Sequence, residues 1–431
     1  MKFLYTLLYA LSITLINPWG ASRGLIWTAP KVLVIWLIVG VDIAIIWEKR
    51  KALTIDQNWF NSLKLWGIFL SIGAISTLAS PFPLNSFLGQ DQMGDGWLYS
   101  VALALFTLSN TLLLKLHPQL LSSQLQGLLI GGIIVAISTI PQIIDWRIDY
   151  TATMGQIIRP DVNASSIFQG QQPIALYSHR GYAAISLATI AILSIIGRLW
   201  KLTSHRLTAI ALIIMAPALI FTTTRAAILG LATALFYKFG WQYKKLFAGV
   251  TLISCLAIGG MTLTRPLDWS QPSIQQVMSS RSPMWALSLQ AIKKRPFFGW
   301  GFDGFGIAYP YIRNPKKTPI VVNLDQFTYD YITINGQVNT REIPTSKAHN
   351  LILDTTLSVG IIGLISYAGL WGYYIYSAIN SPFHGIEAAA IAYVVFAITW
   401  FDSAQYAHIP WWALSIGGNS LNHREKRRQS T

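Results

Sequence analysis

Cysteine, carboxylate and histidine are all scarce in this 431-residue sequence. The one cysteine, Cys255, lies inside the apolar run 246–263, so neither a disulfide nor a thiolate metal cluster can be built within a single chain. Charged residues make up 11%, where a soluble chain carries about a quarter, which excludes an ordinary cytosolic enzyme, a disordered chain and a disulfide scaffold. With 17 Asp and Glu and 7 His, a charged catalytic surface cannot be assembled, and the position of each such residue becomes informative. What is abundant is apolar: the chain is 53% hydrophobic with 17 Trp and a mean hydropathy of +0.45, yet carries a formal net charge of +15. The solvent that suits this composition is the bilayer.

Crossing about 30 Å of hydrocarbon takes roughly 20 apolar residues. By that measure the sequence predicts about 12 helices, at 3–16, 31–47, 63–79, 98–116, 125–144, 182–200, 207–221, 226–236, 246–263, 351–376, 386–400 and 407–417. The first has the charged start and small residues of a signal peptide, but the number of spans that follow it favours a retained helix. Alternating the spans from a cytoplasmic N-terminus gathers Lys49, Arg50, Lys51, Arg198, Lys201, Arg206, Lys238, Lys244, Lys245, Arg424, Lys426, Arg427 and Arg428 on one side. The excess of Lys and Arg in short loops marks that side as cytoplasm, with the C-terminus there. The expected fold is therefore an all-α polytopic membrane protein of about 12 transmembrane helices with a large, partly helical outer loop.

Two outer segments, 145–181 and 264–348, exceed the length of ordinary connectors and contain aromatic residues and proline rather than low-complexity sequence; both read as ordered caps. The second holds ten basic residues against five acids, a net +5. That charge suits an anionic ligand or anionic lipid headgroups, and equally a solvated basic loop. A third outer segment, 80–97, has no Lys or Arg and carries Asp91 and Asp95.

Three places on the outer side share one geometry. Arg225 follows Thr222, Thr223 and Thr224 at the start of a helix, with those threonines available as caps. Arg281 precedes Ser282 and Pro283, which read as N-cap and first helical position. His349 and Asn350 stand where the outer segment enters the span 351–376. Helix N-termini expose unpaired N–H groups and the positive end of the macrodipole, which suits phosphate, and two arginines there would make a forked anion clamp. A histidine beside them can accept a hydroxyl proton, kept neutral by the cations. Taken singly, a boundary arginine is more often a membrane anchor and a loop histidine more often a bystander; what carries weight is the three together on one side.

GWGFDG, from Gly299 to Gly304, matches G-x-G-x-x-G, but no strand precedes it, and it reads as a glycine-aromatic turn rather than a dinucleotide site. The outward histidines His179, His349 and His408 show no i, i+4 pairing, so no metal site is expected. Asp42 falls inside a span, where an ionisable group is a functional candidate by default; with no acidic or histidine relay on neighbouring spans, it is expected to pair with another helix.

The order TTTRAA, then R-x3-W-x-L followed by RPFFGWGFDGFG, then AHNLILDTTLSVGIIGLISY resembles the C-terminal signature region of the O-antigen ligase and polymerase family, over 221–376. The chain then divides into N-terminal helices 1–220, this signature region with its outer loop 264–348, and last helices with a basic tail 377–431. Segment 80–97 is similar to an outer-loop motif of the family but lacks the basic residue expected after Gly89. The resemblance implies a metal-free and cofactor-free enzyme on the outer face of the bacterial inner membrane, among membrane lipids and with no nucleic-acid partner. It would transfer a glycan from an undecaprenyl-pyrophosphate carrier to a hydroxyl on a lipid, a glycan or a protein, inverting the anomeric carbon. Carried over by motif, Arg225 and Arg281 would bind the pyrophosphate, His349 would be the general base, and Arg180, in SHRGYAA, is a further candidate for the phosphate. Two alternatives remain open: a secondary anion transporter of bicarbonate type, which predicts polar residues on broken helices at mid-bilayer, and a membrane scaffold for envelope assembly.

Overall fold

The computed structural model describes residues 1–143, 173–240, 281–313 and 320–417. It is mostly helical, at 70%. In chain order the helices are α1 (Lys2–Thr14), α2 (Ala29–Glu48), α3 (Gln57–Leu78), α4 (Pro83–Leu88), α5 (Trp97–Leu116), α6 (Leu120–Ile137), α7 (Thr139–Ile143), α8 (Arg180–Leu199), α9 (His205–Phe221), α10 (Arg225–Phe239), α11 (Ser282–Lys294), α12 (Gly304–Ile312), α13 (Leu351–Ile379), α14 (Glu387–Ile398) and α15 (His408–Gly417). Eleven of the apolar stretches expected from sequence coincide with helices in this series. The remaining one, 246–263, lies outside the described residues, as do most of 145–181 and the basic tail.

Among the described residues, five segments are long and apolar enough to cross a membrane: Gly24–Glu48, Trp97–Leu116, Leu120–Ile143, Arg180–Leu199 and Leu351–Ile379. Their burial sorts them into centre and rim. Arg180–Leu199 is 83% buried and Leu351–Ile379 only 39%, so α8 is the bundle's axis and α13 turns one face outward. Large apolar side chains such as Ile213, Leu78 and Ile365 lie exposed on those outer faces, an arrangement stable where the surroundings are lipid rather than water.

Helices α1 and α6, α2 and α5, α3 and α13, and α10 and α14 pack as pairs. Small residues allow the closest approach: a side chain added at Gly230 of α10 would meet the Ala392 carbonyl of α14 at 2.5 Å. Asp42 pairs with neighbouring helices, accepting from the Tyr5 hydroxyl at 2.6 Å and from Ser109 Oγ at 3.1 Å. His408, grouped by sequence with the outward histidines, is instead buried in the bundle with Nε2 3.2 Å from Ser12 Oγ.

The 281–348 segment forms a cap with its own apolar core around Trp300, Phe305, Tyr309 and Tyr329. It contains strands that the helical reading of the sequence did not include: β1 (Ile320–Leu324), β2 (Thr328–Ile332) and β3 (Val338–Glu342), an antiparallel sheet in the order β1-β2-β3. These strands are short, and β3 is exposed along its whole length; of the three, β2 (TYDYI) alone alternates polar and apolar residues as a half-buried strand does.

A backbone clasp joins cap to bundle. Helix α13 breaks at Gly360, which has φ 70° and ψ −177°. The break frees the carbonyls of Leu357 and Ser358, which accept from Trp300 N at 2.7 Å and Gly301 N at 3.0 Å, while Ile361 N donates to Pro296 O at 2.8 Å. Gly299 and Gly301 take φ of 68° and 95° to make this turn, so GWGFDG is the glycine-aromatic turn expected and its glycines serve close backbone approach.

Candidate functional site

Asn350 caps α13, its Oδ1 accepting from Ile352 N at 3.0 Å and Leu353 N at 3.1 Å. One turn in, the Asp354 carboxylate reaches back to Ala348 N at 2.8 Å and Asn350 N at 3.4 Å. The peptides on either side of His349 are thus pinned, and His349 is held at φ 56°, a left-handed conformation uncommon for a residue with a side chain. Its Nδ1 lies 3.2 Å from the Lys347 carbonyl oxygen. That oxygen can only accept, so we assign the proton to Nδ1, which leaves the Nε2 lone pair free. Burial lowers the pKa of His349 below its ordinary value; the Lys347 carbonyl opposes this and Arg281 adds to it. The neutrality expected from neighbouring cations therefore has burial as its larger cause.

Arg281 occupies the cap position of α11, which begins at Ser282, one residue earlier than Pro283 alone suggests. Two contacts bring this helix end to the histidine. Trp285 Nε1 donates to the Ala348 carbonyl at 3.0 Å, and the Arg281 guanidinium lies 5.8 Å from the centre of the Trp400 ring. Trp400, just past the end of α14, also meets the His349 ring edge-on at 5.1 Å and the His179 ring at 5.3 Å. Phe401, stacked on Trp400, also meets the His349 ring edge-on at 4.9 Å.

His179 caps α8 through Nδ1, which accepts from Gly181 N at 3.0 Å; burial first, then Arg180 and other neighbouring charges, pushes its pKa down to about 4. The next residue, Arg180, donates from Nη1 to Thr223 Oγ1 at 2.9 Å. Thr223, at φ 53°, lies in the turn between α9 and α10. Arg225 is the first residue of α10, two positions beyond Thr223, with Thr224 in the cap position and its own side chain exposed. Of the four residues singled out by sequence, Arg281 and His349 meet at Trp400, Arg180 stands beside His179 at the same indole, and Arg225 flanks the turn that Arg180 contacts.

Sequence reasoning missed Trp400 and His179. Trp400 reads as an interfacial aromatic ending an apolar run, and nothing local ties it to positions more than fifty residues earlier. His179 is adjacent to Arg180, a signal that was available.

Most basic residues of the cap hold the cap together rather than facing a ligand. Lys347, 4% exposed, is paired with Asp95 at 2.6 Å and Asp303 at 2.9 Å, and these carboxylates hold its ammonium charged against the cost of burial. Arg295 stacks over Trp300 and donates to the Ala79 carbonyl, Lys294 donates to Tyr311 O, and Arg341 lies over Tyr331. Among the described residues, Lys347 is thus neutralised inside the fold and the others named here are held by carbonyls or rings, while Arg281 is the cap cation at the Trp400 cluster. Arg265, Lys316 and Lys317 lie outside the described residues.

Residues 210–368 match the family model described as O-antigen ligase. That stretch contains α10, α11, the backbone clasp and the His349 turn. No curated protein matches the chain.

Proposed function

We propose that the chain, whose residues 210–368 match the O-antigen ligase family model, takes part in glycan transfer for polysaccharide assembly, joining a glycan from an undecaprenyl-pyrophosphate-linked donor to an acceptor hydroxyl on a lipid, a glycan or a protein. The observation that carries this reading is the shared indole: His349 and Arg281, remote in sequence, both contact Trp400.

In the proposed step the acceptor oxygen forms a bond to the anomeric carbon while the bond from that carbon to the pyrophosphate oxygen breaks. His349 Nε2 takes the hydroxyl proton. Negative charge develops on the departing pyrophosphate, where Arg281, Arg225 and Arg180 stabilise it together with the N-terminal ends of α11, α10 and α8. Attack from the face opposite the leaving group inverts the anomeric carbon. The arginines supply the charge a metal would otherwise provide, so transfer proceeds without one. The site belongs on the outer face of a bacterial inner membrane, with about 12 spans and the C-terminus in the cytoplasm.

A transporter would place polar residues at a broken helix. Helix α13 is broken at Gly360, but its freed carbonyls are taken by Trp300 and Gly301 and are not offered to an ion, which favours transfer over transport. The purified protein, given lipid-linked glycan and acceptor in EDTA, is expected to form the glycosidic product. A strict metal requirement, or product formation by His349→Ala at the wild-type rate, would refute the mechanism.

A further inference from the structure

The 80–97 segment departs from the family resemblance: no basic residue follows Gly89, and Gln90 and Asp91 stand there instead. Together with the tip of the β1–β2 hairpin this segment lines an open-mouthed cavity of about 460 Å³, within the range of roughly 300–1,000 Å³ typical of small-molecule sites. Its polar wall includes Asp91, Asp303, Asp325, Asn85, Gln90 and Gln326, and no Lys or Arg lines it among the described residues. Leucines 88, 98 and 324 supply apolar patches between them.

Several of these groups are already fixed by partners. Asp91 accepts from Gly24 N at 2.9 Å, Gln326 donates to Gln92 Oε1 at 2.7 Å, and Asn85 donates to the Leu324 carbonyl at 3.1 Å. Asp303, 3% exposed, is paired with Lys347. Gln90 Oε1 is buried and has no hydrogen-bond partner among the described residues, an unsatisfied acceptor of the kind that calls for a ligand or water.

The chemistry of this wall selects its occupant. A sugar hydroxyl both donates and accepts; carboxylates accept strong hydrogen bonds from it, amides serve both directions, and aliphatic patches suit the C–H faces of the ring. Phosphate or a uronic acid would meet Asp91 and Asp325, which no Lys or Arg among the described lining residues offsets; Asp303 is already paired with Lys347. One wall residue links the cavity to the segment that carries the proposed base: Asp303 bonds Lys347, two residues before His349.

We propose that the cavity binds a non-anionic sugar of the glycan being joined, held by its hydroxyls to Asp91, Asp325, Asn85, Gln90 and Gln326. The assignment of that sugar to a substrate rests on the glycan-transfer reading; the binding itself does not.

Full-length His349→Ala protein, which needs no turnover, tests it. The probes are oligosaccharides released by mild acid from the organism's own surface polysaccharide and separated by anion exchange into neutral and acidic pools. The neutral pool is expected to bind saturably. Binding should weaken about tenfold in Asp325→Lys, which recharges the wall, and in Leu88→Trp, which fills the space, but not in the exposed control Glu342→Ala. Competition by intact lipid-linked glycan assigns the sugar to the donor, and absence of competition assigns it to the acceptor. Preference for the acidic pool, no binding by either pool, or equal binding by both cavity variants overturns the proposal. Failure of transfer by the wild-type protein, with neutral-pool binding intact, would instead sink the transfer reading and leave the cavity assigned.

Discussion

His349 stands edge-on to Trp400, the two rings 5.1 Å apart at 83°, so one indole fixes the position of the proposed base while its surface also carries Arg281. Replacing Trp400 by Leu removes a wall from both groups. Transfer should fall by about tenfold or more, since losing an aromatic contact of this kind and its attendant packing is worth roughly 1–2 kcal/mol, and Trp400→Phe should retain an intermediate rate. Steady-state kinetics at matched abundance check this; wild-type kcat in Trp400→Leu would remove Trp400 from the site.

Gly360 is irreplaceable for a different reason. A side chain there would meet the Phe297 carbonyl at 2.0 Å, on a backbone with φ 70°. Gly360→Ala should therefore open the clasp between cap and bundle and cost several kcal/mol, on the order of 3 or more. Protein abundance and thermal unfolding in detergent measure it, and an unchanged melting temperature would contradict the clasp.

Much of the helical frame was legible because apolar runs and threonine, asparagine and proline signals at helix starts act locally: Asn350 caps α13 as its position implies, and Arg225 opens α10. The sheet was largely not legible, because its strands are five residues long, β1 (IVVNL) and β3 (VNTRE) do not alternate, and β2 (TYDYI) alone carries a strand's pattern. Within the site, Arg281 and His349 could be read from their places at helix starts, whereas Trp400 gains its role only through tertiary packing. Lys347 was misread in kind: counted with the outer charge, it is buried between Asp95 and Asp303, a pairing between residues distant in sequence that no spacing announces.

If the arginines clamp pyrophosphate through two oxygens each, charge alone will not replace them. Arg225→Lys and Arg281→Lys should each lower kcat/KM for lipid-linked donor by about tenfold or more, because an ammonium cannot present a planar fork. Turnover equal to wild type in either variant would exclude it from the clamp.

The pH dependence has a fixed sign. Neutral His349 is the active base, and burial together with Arg281 lowers its pKa below 6.5, so the acid limb of kcat/KM should fall below that value. For stability, the unfolded chain protonates His179 near 6.5 whereas the folded one resists until about 4. The contribution of His179 to stability is therefore full above 6.5 and is lost as pH falls toward about 4. A pH–rate profile and melting curves across that window test both, and an acid limb above 6.5 would contradict a buried, neutral base.

The central claim is that His349 removes the acceptor proton during glycan transfer. Its most direct test is analysis of surface polysaccharide in a deletion strain complemented with His349→Ala at wild-type membrane abundance. Loss of the attached or elongated glycan, restored by the wild-type chain, is the result expected; polysaccharide of normal amount and length in the variant would contradict the account.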